Sequence, residues 1–102
     1  MGQMSFEEFA ASAARDAQPR SEWSSALCAL WLDRRGEWDA AHRCVQDEMS
    51  GDGAWVHAYL HRKEGDQGNA EYWYRRAGKP AVPASASLDD EWASLVRALL
   101  PA

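Results

Sequence analysis

The sequence is poor in the features that mark secreted and membrane proteins. It contains only two cysteines, Cys28 and Cys44, and we interpret both as reduced thiols of a cytoplasmic protein. The first residues carry acidic side chains and no apolar run, so we expect no secretion signal. No segment approaches the roughly 18 consecutive apolar residues that a membrane span requires. We therefore expect no membrane partner.

Basic residues and catalytic motifs are also scarce. The chain has 11 Lys and Arg residues against 16 Asp and Glu residues, which gives a net charge of -5. Contacts with nucleic-acid phosphates require a concentrated basic face, so we expect no nucleic-acid partner. A glycine-rich phosphate loop and a Gly-x-Ser-x-Gly motif are both missing. These absences favour a binding protein over an enzyme, although they do not exclude catalysis.

Alternation of apolar and polar residues with period two is absent, whereas helical periodicity runs through the chain. Between residues 23 and 31, for example, Trp23, Ala26, Leu27, Leu30 and Trp31 recur at the spacing of one helix face. Other apolar residues lie on the opposite side of this segment, which indicates a helix packed between neighbours. The pattern predicts an all-α fold of five or six helices in antiparallel hairpins.

The chain divides into four stretches. Residues 1–20 hold an N-terminal helix at about residues 5–14 and a lead-in, and residues 21–79 hold two helical hairpins. Residues 80–87 form a linker rich in Pro, Ala and Ser, and residues 88–100 form a C-terminal helix with a strong apolar stripe. We interpret all four as parts of one helical domain over residues 1–102.

Capping residues and glycines predict where the helices of the two hairpins begin and end. In the first predicted hairpin, Ser21 caps a helix that Gly36 ends, and a second helix covers residues 37–49 with Met49 on its inner face. In the second predicted hairpin, Asp52 caps a helix over about residues 53–64 that Gly65 ends, and Asp66 caps the fourth helix. The two hairpins overlay with an offset of 29 residues, because Ala41 and Val45 follow Gly36 as Ala70 and Tyr74 follow Gly65. A small residue at a helix crossing allows close approach, which is typical of helical repeats.

The order of Gly65, Ala70, Tyr74 and Ala77 resembles the turn and second helix of a tetratricopeptide repeat. The run Asn-Ala-Glu-Tyr-Trp-Tyr-Arg-Arg-Ala over residues 69–77 is similar to the Sel-one-like subclass of that superfamily. The block from His57 to Tyr74 also resembles a group of small bacterial and fungal proteins with His-Ala-Tyr-Leu-His-Arg, Glu-Gly-Asp and Tyr-Trp-Tyr motifs. The resemblance covers about residues 22–80 and implies helical hairpins that bind a protein or peptide.

Three histidines and a carboxylate form a candidate metal site. His57, His61 and Glu64 fall at i, i+4 and i+7, which places them on one stripe of a helix. Two imidazoles one turn apart can share a divalent ion such as zinc, with a carboxylate as third ligand. If the preceding helix packs antiparallel, His42 could approach the same point. This pattern suggests a divalent-metal-binding or hydrolytic protein as the alternative to a binding module.

Simpler interpretations of the same histidines remain open. His57 and His61 could be half-buried residues at the edge of the core, and His42 could be a core histidine bonded to a carboxylate or a backbone carbonyl. A histidine near a carboxylate could also act in acid–base chemistry. The spacing lacks the catalytic glutamate of the metalloprotease motif, because Ala58 stands beside the first histidine.

Two surfaces are candidates for contact with partners. Tyr72, Arg75 and Arg76 point away from the apolar face of the fourth predicted hairpin helix, and an exposed Tyr with two Arg residues has the composition of a binding hot spot. A helix C-terminus also favours arginines through its dipole, so this cluster does not by itself require a partner. The apolar helix from Leu88 to Leu100 could instead dock on a second copy and form a homodimer.

Overall fold

The protein is all-α. A computed structural model describes residues 4–101, and among them it contains six α-helices and no strand. The helices are α1 (Phe6–Arg15), α2 (Ser25–Arg34), α3 (Trp38–Val45), α4 (Gly51–Lys63), α5 (Gln67–Ala77) and α6 (Leu88–Leu99). This confirms the predicted fold class and the upper end of the predicted helix count.

The two predicted hairpins are present, and each turns at the expected glycine. Gly36 between α2 and α3 has a φ of 84°, and Gly65 between α4 and α5 has a φ of 93°. Both values lie in the left-handed region, which only glycine adopts at no steric cost. The small residues after these turns, Ala41 and Ala70, are fully buried, which lets the paired helices approach closely.

Three helix boundaries differ from the prediction. A different residue, a serine, caps the helix at two of them, and a loop begins earlier than expected at the third. The helix α2 begins after Ser24, whose hydroxyl accepts from the Leu27 N–H, and not after Ser21. The helix α4 begins after Ser50, whose hydroxyl accepts from the Gly53 N–H, and not after Asp52. The helix α3 ends at Val45, so Met49 lies in the following loop and is 81% exposed, contrary to its predicted inner position.

Side chains also cap the helices α1, α5 and α6, and the cap of α5 at Asp66 is the predicted one. Ser5 and Glu8 form a reciprocal capping box at the start of α1. Asp66 accepts from the Asn69 N–H at the start of α5, and Ser87 accepts from the Asp90 N–H at the start of α6. These bonds satisfy backbone donors that a helix leaves free in its first turn.

Two apolar clusters hold the helices together. The main one joins α1, α2, α3, α4 and α6 around Trp31, Leu30 and Trp92, all of them buried. A smaller one joins α4 to α5 through Ala58, Ala70 and Tyr74. The helix α2 contacts α1, α3, α4 and α6, as its two apolar sides predicted. The result is that α4 is shared by both clusters.

The C-terminal helix packs inside its own chain. Trp92, Leu95 and Val96 of α6 are buried in the main cluster, and the indole N–H of Trp92 donates to the Leu30 carbonyl at 2.9 Å. A second copy would therefore have only the half-buried Leu88, Leu99 and Leu100 of this stripe to contact. A homodimer through Leu88–Leu100 stays a prediction, and its contact area would be small. Across residues 4–101, the structure also contains no helix that combines the length and apolar character of a membrane span.

Candidate metal centre

All three histidines of the sequence meet at one point between α3 and α4. His57 and His61 lie one turn apart on α4, and His42 lies on α3. The antiparallel packing of these helices is fixed at its end by Trp38, whose indole N–H donates to the Leu60 carbonyl at 2.9 Å. The same register brings His42 opposite His57. The predicted approach of His42 is therefore present in the structure.

The nitrogen atoms of the three rings are close enough for a common ion. One ring nitrogen of each histidine lies within 4.8 Å of those of the other two. The Nε2 atoms of His42 and His57 are 3.0 Å apart. Two nitrogens bound to one zinc ion at about 2.0–2.1 Å are about 2.9 Å apart at right angles and about 3.3 Å apart at tetrahedral angles. The His42–His57 separation falls within that range.

Glu64 orients His61 and does not join the three-histidine cluster. The Nδ1 atom of His61 lies 2.7 Å from a carboxylate oxygen of Glu64. An ionised carboxylate only accepts, so Nδ1 carries the proton and donates it, which leaves the lone pair of His61 on Nε2. A carboxylate on the far nitrogen of a histidine is the usual outer partner of a metal ligand. Glu64 as a third ligand stays a prediction. In the structure its carboxylate contacts the outer nitrogen of His61, and a second group of potential ligand atoms within 4.8 Å of one another joins it to His61 and Asp66.

Two indole rings flank the cluster. The Trp38 ring stacks on His42 with ring centroids 5.0 Å apart, and the Trp73 ring of α5 stacks on His57 at 3.9 Å. His57 and His61 are 4% and 7% exposed, whereas His42 is half-buried. The flanking rings fix the two imidazole planes and exclude water from one side. The solvent-facing part of the cluster is therefore His42.

The environment keeps two of the imidazoles neutral. Burial, together with the neighbouring His61 and His42, lowers the pKa of His57 from 6.5 to about 4. Burial and His61 also lower the pKa of His42, although Glu64 and Asp39 act in the opposite direction. Neutral imidazole is the form that binds a metal ion. At neutral pH, His57 and His42 therefore present the form that binds an ion.

The cluster is incompletely hydrogen-bonded within the protein. The Nδ1 atom of His57 is buried and has no hydrogen-bond partner among residues 4–101. A buried polar atom left without a partner costs about 1–3 kcal/mol. Three rings that only completed the core would be expected to find better partners, because most buried polar groups do.

The simpler interpretations of the histidines fit the structure less well. His57 and His61 are buried and not half-buried. His42 pairs with His57, and not with a carboxylate or a backbone carbonyl. The pairing of His61 with Glu64 does satisfy the geometric condition for acid–base chemistry. An acid–base role of His61 and its positioning by Glu64 would both use the contact between His61 Nδ1 and the Glu64 carboxylate.

The predicted partner surface lies on the outer side of α5. Tyr72, Arg75 and Arg76 are all exposed, as their positions on the helix predicted. The Arg76 guanidinium lies 5.3 Å from the centre of the Trp73 ring, and its Nη1 atom donates to the Tyr72 hydroxyl at 3.3 Å. The Trp73 ring therefore lies between this surface and His57 of the cluster.

Sequence reasoning missed two buried polar networks on α4. In the first, Arg62 donates from Nε to Glu91 of α6 at 2.7 Å, and the Tyr74 hydroxyl donates to the other oxygen of the same carboxylate. In the second, Asp33 of α2 accepts from the Tyr59 hydroxyl at 2.7 Å and from the Lys63 ammonium at 2.8 Å. The partners are 17 to 30 residues apart in the chain, so no local pattern could reveal them.

The Arg62 network also fixes the segment between α5 and α6. The Nη1 atom of Arg62 donates to the carbonyls of Pro83 and Ala86, each at 3.0 Å. Gln67 donates to the Val82 carbonyl at 2.9 Å. The Pro/Ala/Ser-rich stretch predicted as a linker is therefore attached to α4 and α5 through its backbone.

The chain matches no protein-family model, no curated protein and no solved structure. The resemblance to tetratricopeptide and Sel-one-like repeats stays a prediction.

Proposed function

We propose that this protein binds a divalent transition-metal ion, with zinc as the best candidate, through His42, His57 and His61. The convergence of three imidazole nitrogens within 4.8 Å of one another carries the proposal. The chain has three histidines in all, and every one of them takes part. The lowered pKa values of His57 and His42 and the setting between two indoles support the same function.

The donor set selects the kind of ion. Three imidazoles suit zinc, copper, nickel and iron, whereas magnesium and calcium prefer oxygen ligands. Zinc accepts both tetrahedral and more compact arrangements, because its filled d shell imposes no geometry. Glu64 would hold His61 in the tautomer that presents Nε2 to the ion. A hydrolytic role would require, in addition, a coordination position that water can occupy.

The direct test is a zinc titration of protein first stripped with a chelator. We expect one zinc per chain by elemental analysis after dialysis, and a rise in Tm, because an ion that binds only the folded state stabilises it. In His42→Gln the expected affinity is at least tenfold weaker. Because His42 is half-buried, this substitution is expected to disturb the fold less than one at His57.

The matched control is Arg43→Gln, an exposed position next to His42 on the same helix. This variant is expected to bind zinc like the parent. Circular dichroism would establish that both variants are folded before they are compared. The proposal is wrong if the stripped parent takes up no zinc, or if His42→Gln and Arg43→Gln bind it equally.

Binding of a protein or peptide is the second candidate function. Tyr72 is one of two exposed large apolar side chains among residues 4–101, and it is 43% exposed beside two exposed arginines. Aromatic and Arg residues contribute most to interface energies. The predicted helical-repeat character would supply the supporting scaffold, since helical hairpins present such surfaces to peptides.

A labelled acidic peptide that contains tryptophan tests this second function. We expect saturable binding by fluorescence anisotropy, reduced at least tenfold by Arg75→Glu combined with Arg76→Glu and several-fold by Tyr72→Ala. The control is Glu71→Gln, which changes an exposed residue of the same helix without removing an aromatic or an arginine. Equal binding by the parent and the double arginine variant would exclude this surface as the binding site.

A further inference from the structure

Within the part of the chain that the structure describes, the three-histidine cluster has no fourth protein ligand. Among residues 4–101, no cysteine, aspartate or glutamate joins His42, His57 and His61 within the same 4.8 Å. The nearest candidate, Glu64, is occupied by the Nδ1 atom of His61 at 2.7 Å. Structural zinc sites usually take four protein ligands, whereas sites that act on other molecules take three and leave one position to water. The ligand count here matches the second type.

The cluster is also open to solvent on one side. His42 is half-buried, while His57 and His61 are nearly covered. Trp73 closes the side of His57, and Trp38 stacks along His42 without covering it completely. An ion held by all three rings would therefore meet solvent on the α3 side.

Charge favours an anion in that position. Three neutral imidazoles leave both positive charges of a divalent ion uncompensated. The carboxylate of Glu64 bonds to the far nitrogen of His61 and does not join the point where the three rings meet. Attraction between opposite charges is strong at short range where water is partly excluded.

We infer that the ion bound at this centre keeps one coordination position for an exchangeable small monodentate anion, occupied by water when no anion is present. This inference rests on the proposed metal-binding function and adds a ligand class to it. It distinguishes a centre that binds small molecules from one that only cross-links α3 and α4.

Cobalt(II) tests the inference, because its visible absorption reports both binding and coordination. Stripped protein is titrated with cobalt chloride, and the loaded protein is then titrated with sodium azide. We expect a visible band to appear with one cobalt per chain, and azide to shift that band with saturation at millimolar concentration. Free cobalt under the same conditions and Arg43→Gln protein serve as controls.

The possible results separate the two proposals. If no cobalt binds, the metal-binding function itself is wrong. Azide is added up to about 100 mM, which is roughly a hundredfold above a Kd of 1 mM. If cobalt binds and azide leaves the band unchanged, the centre is closed. The inference is then wrong, while metal binding stands. A His42→Gln variant that retains cobalt binding and the azide shift would place the open position elsewhere and also overturn the inference.

Discussion

Buried polar side chains are arranged differently on two sides of the helix α4. On one side, Arg62 meets Glu91 in an ion pair whose side chains are 2% and 7% exposed, and the same carboxylate also accepts from Tyr74. On the other side, the histidine cluster leaves His57 Nδ1 without a partner among the residues that the structure describes, and it gathers three ring nitrogens within 4.8 Å of one another. The first arrangement joins helices of the chain, whereas the second is the candidate metal centre.

The ion pair and the histidine cluster differ little in how completely they are hydrogen-bonded, but they differ in the chemistry of their groups. The ion pair also leaves one atom, Nη2 of Arg62, without a partner among residues 4–101. Its opposite charges nevertheless compensate each other inside the chain. The histidine cluster instead gathers three groups of the same type, two of which bond to each other, with ring nitrogens within 4.8 Å of one another. Clusters of titratable groups with shifted pKa values are candidate functional sites.

The largest expected effect comes from breaking the Arg62 side. We expect Glu91→Gln to lower the free energy of unfolding by about 3–5 kcal/mol, because it leaves a buried charge without its partner. Urea denaturation followed by circular dichroism measures the change. The control is Asp89→Asn, since Asp89 pairs with Arg34 at 3.0 Å but is 83% exposed. We expect this control to cost less than about 1 kcal/mol, and equal losses would contradict the contrast.

Acid should act on the histidine side first. In metal-free protein the pKa of His57 is about 4 in the folded state against 6.5 ordinarily. The unfolded state therefore binds more protons between these values, so stability is full above pH 6.5 and falls as the pH falls towards 4. At about 1.4 kcal/mol per pH unit, the loss reaches about 3 kcal/mol. His42 changes in the same direction.

Urea unfolding at several pH values between 7.5 and 4.5 measures this loss. The comparison with His57→Gln isolates it, because glutamine does not titrate while the carboxylates near the cluster, Glu64 and Asp39, remain. The difference between the two curves is expected to shrink as the pH falls. Parallel curves for the parent and His57→Gln would show that His57 does not cause the acid sensitivity.

The smallest expected effect on stability is the most informative about function. Replacement of both His42 and His57 by leucine removes a polar pair together, and such double replacements cost little. We expect the His42→Leu/His57→Leu protein to lie within about 1 kcal/mol of the stripped parent in urea unfolding, while zinc binding is lost. A loss comparable to that of Glu91→Gln would instead mean that the histidine pair is a structural element.

Much of the fold follows from local pattern. The glycines at 36 and 65, the cap at Asp66, and the α5 face with Ala70 and Tyr74 lie where the sequence indicated. Periodicity failed where a loop began early, as at Met49, because the helix ended at Val45 while the apolar spacing continued. Capping failed where two candidates lay close together, since a serine and not Asp52 accepts the N–H at the start of α4.

Only part of the candidate site could be predicted from local sequence pattern. The shared stripe of His57 and His61 follows from their spacing, and Glu64 follows from its place one turn later. That Glu64 bonds to the outer nitrogen of His61 depends on a rotamer, which spacing does not define. The two indoles that flank the cluster come from α3 and α5, and their positions depend on how three helices pack.

Local sequence specifies the helices, the turns at Gly36 and Gly65 and the alignment of two histidines, because hydrogen bonding within a helix and left-handed turns are local properties. Packing between helices is what places His42 3.0 Å from His57, pairs Arg62 with Glu91, and brings three rings to one point. Those contacts depend on the register between helices. Side-chain volumes across the whole core fix that register, and no segment specifies it alone.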